Sequence, residues 1–232
     1  MWSGLRAVSF DLDDTLWAVG PVLLRAESAL TGWLAERYPR LVALHEPEAA
    51  RERRVAVTRE FPDRAHDLTF VRTESLRQMA AEAGYGPGVA EEAFAVFHAA
   101  RNAVEPYHDV PEALSRLASR FPLFALSNGN ADVRRTPLAA HFQLGISPAE
   151  AGVAKPDSGI FEHLFRRTGL QPAEVLHVGD DPVTDVAGGR GAGCRTVWVN
   201  RRGVAWPAAH ARADAEVSDL NQLVALLAHG GP

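Results

Sequence analysis

Three aspartates occupy four consecutive positions in the segment SFDLDDTLW, which covers residues 9–17. They follow the apolar run Ala7–Phe10, and such a run predicts a buried strand. Alternate side chains of an extended chain share a face, so Asp11 and Asp13 would point the same way, about 7 Å apart. A solvated acidic turn is the simplest reading of this segment alone. A calcium loop is disfavoured, because Leu16 and Val22 stand where an EF-hand requires Gly and Glu.

Three further segments place polar groups at the ends of predicted strands or helices. FALSNGN carries Ser127 and Asn128, GVAKPDSGIF carries Lys155, and LHVGDDPVTD carries Asp180 and Asp185. Each has an ordinary alternative reading, namely a helix cap, a surface lysine and an acidic helix start. Ligands of open parallel sheets bind at the carboxyl ends of the strands, where three of these four segments fall.

Taken together, the four segments predict one chemical system. Carboxylates gathered at one edge repel one another, and a hard divalent cation such as Mg²⁺ relieves this with oxygen ligands. A carboxylate that attacks a phosphate ester approaches another anion, so the site also needs an ammonium group and hydroxyl or amide donors. Lys155 and Ser127 could supply these groups.

The elements that would position these residues have the rhythm of a parallel α/β sheet. Strand-like runs are followed by polar turns and then by helical patterns. We predict strands at residues 6–12, 122–127, 174–179, 194–200 and 214–217, and helices at 132–141, 157–168, 183–191 and 220–227.

Residues from about 18 to 105 contain no convincing strand and carry helical periodicity instead. Proline and glycine clusters punctuate this region, as expected between helices. The pattern predicts a helical module inserted after the first strand, with helices at 21–38, 48–59, 68–83 and 89–104.

Composition excludes several other classes of protein. The 232 residues carry a net charge of −5 with scattered basic residues, so neither nucleic acid nor a membrane surface is an expected partner. The single cysteine, Cys194, allows no disulfide framework. The sequence shows no signal-peptide pattern and no apolar run long enough to span a membrane, so a cytoplasmic location is expected. The oligomeric state stays open, and a monomer is compatible with the sequence.

Four motifs occur along the chain in the order Asp-x-Asp-x-Thr, Ser-Asn, Lys-Pro and Gly-Asp-x4-Asp. In these motifs and their order, the chain resembles the haloacid dehalogenase (HAD) superfamily, in its phosphatase branch. The resemblance covers about residues 5–17 and 105–225. It implies a Rossmann-like α/β core with an inserted α-helical cap of the C1 type. The core would comprise residues 1–17 and 105–232, and the cap residues 18–104.

The same resemblance implies the reacting groups. Asp11 would be the nucleophile that forms an aspartyl phosphate, and Asp13 the general acid that later serves as base for the hydrolytic water. Asp11, the backbone carbonyl of Asp13, and Asp180 would hold Mg²⁺.

It also implies a set of supporting groups. Ser127 and Asn128 would bind phosphoryl oxygens, and Lys155 would offset their charge. Thr15 would orient the surroundings of the nucleophile, and Asp185 would lie behind the metal ligands.

The substrate is expected to be a small phosphomonoester. DLDDTLWAVGPVLLRAES, ALSNGNADV and HVGDDPVTDVAGG are most similar to a bacterial subgroup that acts on flavin mononucleotide and a phosphorylated ribitylamino-uracil. Sugar phosphatases, nucleotide phosphatases and phosphomutases of the superfamily remain alternatives. The residues expected to contact the substrate are Trp17, Arg25, Phe70 and Arg72.

Two competing classes share part of this chemistry. A receiver-type phosphoacceptor domain needs only about 120 residues and has neither a helical insertion nor an acid two residues after its acceptor. A dehalogenase of the same superfamily lacks the second aspartate of the first motif, because it has no leaving alkoxide to protonate. Asp13 therefore favours a phosphatase over both.

Overall fold

The structure, a computed structural model, describes residues 2–228. The chain divides into two compact units. The α/β unit contains the residues up to Ala18 and from Glu105 onwards, and the helical unit is Val19–Val104.

Six parallel strands form the sheet of the α/β unit, in the order β3-β2-β1-β4-β5-β6. This order is that of a doubly wound sheet with a switch point beside its first strand, so the predicted Rossmann-like α/β fold is confirmed. The strands are β1 (Ala7–Phe10), β2 (Leu123–Leu126), β3 (Leu144–Ile146), β4 (Val175–Gly179), β5 (Arg195–Val199) and β6 (Ala215–Val217).

The register of the central strands aligns their carboxyl ends. Phe10 of β1 pairs with Ala125 of β2 and with Val178 of β4. All residues of these three strands are buried, as expected for a parallel sheet covered on both faces. The segments that follow β1, β2 and β4 therefore leave the sheet at one edge, side by side.

The helical unit contains five α-helices and a 3₁₀ turn at Pro62–Arg64. Four of them match the predicted positions, and the short α2 is additional. Pro39 and Pro47 occupy the first turns of α2 and α3, where the missing N–H has no helical partner to lose. The helices are α1 (Val19–Arg37), α2 (Pro39–Leu44), α3 (Pro47–Glu60), α4 (Leu68–Glu82) and α5 (Gly88–Asn102).

The α/β unit adds short helices and one π-helical turn at Pro182–Ala187. The helix predicted at residues 132–141 is wrong. Two 3₁₀ turns, Val133–Arg135 and Ala139–His141, replace it, because Pro137 interrupts the pattern and disfavours a helical residue before it. The helices are α6 (Val110–Ala118), α7 (Pro148–Ala151), α8 (Ser158–Thr168), α9 (Gly188–Gly191) and α10 (Leu220–Ala228).

Within residues 2–228, none of the helices combines the length and the apolar character needed to cross a membrane.

Candidate active site

A buried lysine links two aspartates at the carboxyl edge of the sheet. Lys155 Nζ lies 2.7 Å from Asp11 Oδ1, 2.7 Å from Asp185 Oδ1 and 2.6 Å from the Leu126 carbonyl oxygen. All three ammonium protons therefore have acceptors, which a buried ammonium requires. Three of the four sequence motifs thus meet around one side chain.

Asp11, Asp180 and Asp185 form an acidic cluster whose carboxylate oxygens lie within 4.8 Å of one another. Thr15 Oγ1 donates to Asp180 Oδ1 at 3.1 Å, and the indole N–H of Trp198 donates to the Asp180 carbonyl at 2.7 Å. Fixed carboxylate oxygens at this spacing are the donor set that a hard divalent cation takes. Lys155 supplies only one positive charge to the group, so the residues fit a cation such as Mg²⁺.

The backbone after β4 is shaped to bring Asp185 into this cluster. A Cβ atom on Gly179 would lie 2.2 Å from Asp185 Oδ2, so only glycine allows this approach. Asp181 caps the π-helical turn by accepting from the amides of Val183 and Thr184, and its own N–H donates to Asp185 Oδ2 at 2.9 Å. Asp185, predicted to lie behind the metal ligands, has its carboxylate in the same cluster as Asp11 and Asp180.

Burial and mutual repulsion set the charges of these groups. Burial raises the pKa of Asp11 well above its ordinary value, and the Lys155 ammonium opposes that rise. Burial alone would raise the pKa of Asp185, but Lys155 and His177 hold it well below its usual range. Desolvation would lower the pKa of Lys155, yet the carboxylates of Asp11 and Asp185 raise it, so the ammonium stays charged.

Asp180 is the member of the cluster with the least compensated charge. Burial and, after it, the Asp185 carboxylate raise its pKa to about 7, against the opposing effect of the Thr15 hydroxyl. A carboxyl group whose pKa is raised by folding destabilises the protein as pH rises from the unfolded toward the folded pKa. In chelator, wild type should therefore lose stability relative to Asp180→Asn between about pH 4 and pH 7.

Chemical denaturation of both proteins across this pH range measures the difference directly. The difference in free energy of unfolding between the two proteins should level off above about pH 7. Mg²⁺ should stabilise wild type but not Asp180→Asn. A difference that is constant across the range would show that folding does not raise the pKa of Asp180.

Asp13 is held by the indole of Trp17. Trp17 Nε1 donates to Asp13 Oδ1 at 2.9 Å, and the Asp14 N–H donates to the Trp17 carbonyl at 2.7 Å. Asp14 closes this turn with a left-handed backbone (φ 58°), which aspartate tolerates better than most residues. The Trp17 ring is fully buried, so its geometry supports orientation of Asp13, and its predicted contact with a substrate stays a prediction.

Trp17→Phe should lower kcat/KM for alkyl phosphates by about ten-fold or more, because a hydrogen bond to a charged group contributes about 1.5–3 kcal/mol. KM should change little, and aryl phosphates should lose less, because their leaving groups need no proton. Trp33→Phe, in the helical unit, controls for loss of an indole. Equal losses for both substrates would indicate a purely structural role for Trp17.

Ser127 and Asn128 follow β2, as predicted. Ser127 is buried and its Oγ accepts from the Gly129 N–H at 3.0 Å. The Asn128 amide makes two 2.8 Å hydrogen bonds to the backbone of Lys155, accepting from its N–H and donating to its carbonyl. Asn128 therefore fixes the position of Lys155, while its predicted contact with phosphoryl oxygens stays a prediction.

A buried polar chain continues from the cluster into the sheet. His177 Nε2 lies 3.3 Å from Asp185 Oδ1, and its Nδ1 lies 2.9 Å from Ser9 Oγ. Burial lowers the pKa of His177, so the ring is neutral near pH 7. Ser9, His177 and Asp185 are linked by these contacts, but all three are buried. The group therefore holds Asp185 in position beside the sheet.

Sequence reasoning missed the residue that braces the loop after β1. The Arg201 guanidinium binds both oxygens of Asp109, at 2.9 and 3.0 Å, and its Nε donates to the Thr15 carbonyl at 3.0 Å. Asp109 also accepts from the Leu220 N–H at the start of α10. No local pattern marks Arg201, because its partners lie far away in sequence.

The remaining residues predicted to contact substrate belong to the helical unit. Arg25 donates to the Ala103 carbonyl at 3.2 Å, and Phe70 packs edge-to-face on Phe61 at 5.3 Å. Arg72 donates to Glu27 at 2.7 Å. Their contacts with a substrate stay predictions.

Comparison with known proteins identifies the class that this fold and site define. The model of the haloacid dehalogenase-like hydrolases matches residues 5–193, so the chain belongs to that family and is an enzyme of its hydrolase type. Six parallel strands and the four motifs in their expected places agree with this membership.

Individual relatives include phosphatases and a dehalogenase. The chain is 33% identical over 202 residues to the 5-amino-6-(5-phospho-D-ribitylamino)uracil phosphatase YigB of Escherichia coli K12, covering 84% of this chain and 83% of that one. It is 34% identical over 158 residues to a phosphoserine phosphatase of Thermus thermophilus, covering 66% of this chain and 63% of that one. The crystal structure of a 2-haloacid dehalogenase from Pseudomonas syringae pv. Tomato DC3000 matches with a TM-score of 0.91 and 38% identity, over 97% of this chain and 99% of that one.

Proposed function

We propose that the protein is a magnesium-dependent phosphatase that hydrolyses a small phosphomonoester through an aspartyl phosphate on Asp11. The observation that carries this proposal is the Asp11 carboxylate, bound by a buried ammonium within an acidic cluster and followed two residues later by Asp13. Asp11, Asp180 and the carbonyl of Asp13 would hold Mg²⁺. When bound, the ion would neutralise part of the charge on the phosphoryl group.

The chain's own groups can carry both half-reactions. Asp11 attacks phosphorus, the bond from phosphorus to the ester oxygen breaks, and Asp13 gives its proton to the departing oxygen. Asp13 then takes a proton from water, which attacks the same phosphorus and releases phosphate from Asp11. Throughout, the Lys155 ammonium offsets the negative charge of the Asp11 carboxylate and of the transferred group.

For the substrate, we propose a phosphate of the flavin pathway, with flavin mononucleotide and the phosphorylated ribitylamino-uracil as the first compounds to test. The similarity to YigB, which spans most of both chains, supports this choice. The similarity to a phosphoserine phosphatase and to an N-acylneuraminate-9-phosphatase is the reason to test other phosphomonoesters beside these two compounds. Fold and reaction class constrain the substrate weakly, because specificity depends on side chains that vary within a family.

Dehalogenation is the second candidate, because the matching Pseudomonas syringae structure is described as a 2-haloacid dehalogenase. In that reaction a carboxylate displaces halide from carbon, and the leaving halide needs no proton. Asp13, held by the Trp17 indole, has no task as an acid in such a step. The arrangement of Asp13 therefore favours phosphate-ester hydrolysis.

A product-release screen separates the candidates. The panel contains flavin mononucleotide, the ribityl precursor, sugar phosphates, nucleoside monophosphates, an aryl phosphate and 2-chloropropionate, each with Mg²⁺ and with chelator. We expect phosphate release that requires the metal, with the highest kcat/KM for a flavin-pathway phosphate. A clear preference for a sugar phosphate would overturn the substrate, and chloride release without phosphate release would overturn the reaction.

A further inference from the structure

The helical unit encloses a cavity of its own. Its volume is about 200 Å³, and all of its lining residues lie in α1 to α4 or in the α2–α3 connection. A cavity of about 150 Å³ is large enough for a benzene ring, so this one accommodates a small organic molecule. Its apolar walls include Leu30, Leu34, Leu41, Val42, Leu76 and Met79.

The lining of the cavity includes an arginine pair that shares a single carboxylate oxygen. Arg72 Nη2 lies 2.7 Å from Glu27 Oε1, and Arg54 Nη2 lies 3.6 Å from the same oxygen. The Arg72 side chain is only 11% exposed, and its guanidinium carbon lies 3.6 Å from the centre of the Phe97 ring. Two guanidinium groups in this place therefore face one anion.

Arg72 also has hydrogen-bonding capacity that the protein does not use. Its Nη1 is buried and has no hydrogen-bond partner among the described residues. Buried donors are normally satisfied, but this N–H of Arg72 has no partner in the described part of the chain that a water or a bound anion would have to displace. Burial and the charge of Arg72 both lower the pKa of Arg54, as expected where positive charge is in excess.

We propose that this cavity is a binding site for a small organic carboxylate with an apolar body. The carboxylate would pair with the guanidinium groups of Arg72 and Arg54, as arginine forks do with planar anions, and the body would lie against the leucines. Charge selects an anion, because the lining contains three arginines, Arg51, Arg54 and Arg72, against two glutamates, Glu27 and Glu48. Apolar walls select a ring or a short chain over a bare ion.

The binding test does not require the proposed phosphatase chemistry. Every residue that lines it lies in Val19–Val104, whereas every member of the acidic cluster lies in the α/β unit. Binding in chelator therefore tests the cavity even if the proposed reaction is wrong.

The test is calorimetric titration of the full-length protein, in chelator near neutral pH, with three probes. 4-Ethylbenzoate has the charge and the body, 4-ethylbenzamide has the body alone, and acetate has the charge alone. We expect saturable binding of 4-ethylbenzoate that is at least about ten-fold tighter than that of either control. No saturable binding of 4-ethylbenzoate, or equal affinities for the acid and the amide, would overturn the proposal.

Three variants locate the binding. Arg72→Met should reduce the preference for acid over amide to about two-fold or less, since it removes the donor and keeps the stem. Ala50→Phe should abolish binding of both aromatic probes, because Ala50 lines the cavity and a phenyl ring would fill it. Arg59→Met, at an exposed position of α3 outside the lining, should leave the affinities unchanged.

Thermal unfolding of each variant shows whether it folds. Arg72→Met and Ala50→Phe each test the site without the other. Because Glu27 keeps Arg54 as a partner, Arg72→Met leaves no isolated charge and remains informative if Ala50→Phe does not fold. Wild-type affinity in a folded cavity variant would contradict the assignment of the site.

Discussion

Replacing Asp11 by asparagine is expected to lower kcat by at least about 10⁴-fold while the protein stays folded. An amide does not attack phosphorus, so the proposed covalent step is lost. The fold should persist because two effects oppose each other. The variant loses its ion pair with Lys155, but it also relieves repulsion between Asp11 and Asp185. Phosphate release under saturating Mg²⁺, with circular dichroism of the same sample, measures both expectations.

Asp219→Asn is the matched control for this change. Asp219 accepts from the Gln222 N–H at 2.8 Å at the start of α10, and asparagine caps a helix as well as aspartate does. Its activity should equal that of wild type. Substantial turnover by folded Asp11→Asn would exclude Asp11 as the nucleophile.

The second large effect concerns the proton that the leaving group takes. Asp13→Asn should lower kcat/KM for alkyl phosphates by about 10²–10⁴-fold, the usual contribution of general acid catalysis. Aryl phosphates should lose far less, because a phenolate leaves without protonation. This comparison uses kcat/KM, since that quantity reports the first covalent step and excludes the later hydrolysis of the intermediate.

A series of phosphates with leaving groups of graded pKa measures this dependence. In wild type the dependence of kcat/KM on leaving-group pKa should be shallow, and in Asp13→Asn it should be steep. Parallel lines for the two proteins would mean that Asp13 contributes through metal binding or position, and that another group supplies the proton.

The approximate position of the site was predictable because parallel strands bring their carboxyl ends together. Asp11 follows β1 and Asp180 follows β4, which are adjacent in the sheet, so residues far apart in sequence become neighbours. Strongly apolar runs bounded by polar turns marked the main strands. β3 was missed because Leu144–Ile146 is three residues long and contains Gly145, whose missing side chain makes room for Val133.

The contacts that fix the reacting groups could not be predicted in the same way. The bond from Trp17 to Asp13 depends on the left-handed turn at Asp14, which no sequence pattern specified. Arg201 and Asp109 are 92 residues apart, and their pairing depends on how β5 and α6 are placed in the unit. The cavity of the helical unit likewise depends on which helix faces meet, whereas periodicity predicts only that each helix has an apolar face.

The most direct test of covalent catalysis by Asp11 is a search for the phosphorylated enzyme in Asp13→Asn. Without Asp13 as base, hydrolysis of the aspartyl phosphate should be slower than its formation from 4-nitrophenyl phosphate. Rapid mixing with Mg²⁺ should then give a burst of nitrophenol of about one equivalent per protein chain. Acid quench, borohydride reduction and peptide mass spectrometry should find Asp11 converted to homoserine, and only when substrate is present. Steady release without a burst, with Asp11 unmodified, would contradict a covalent intermediate on this residue.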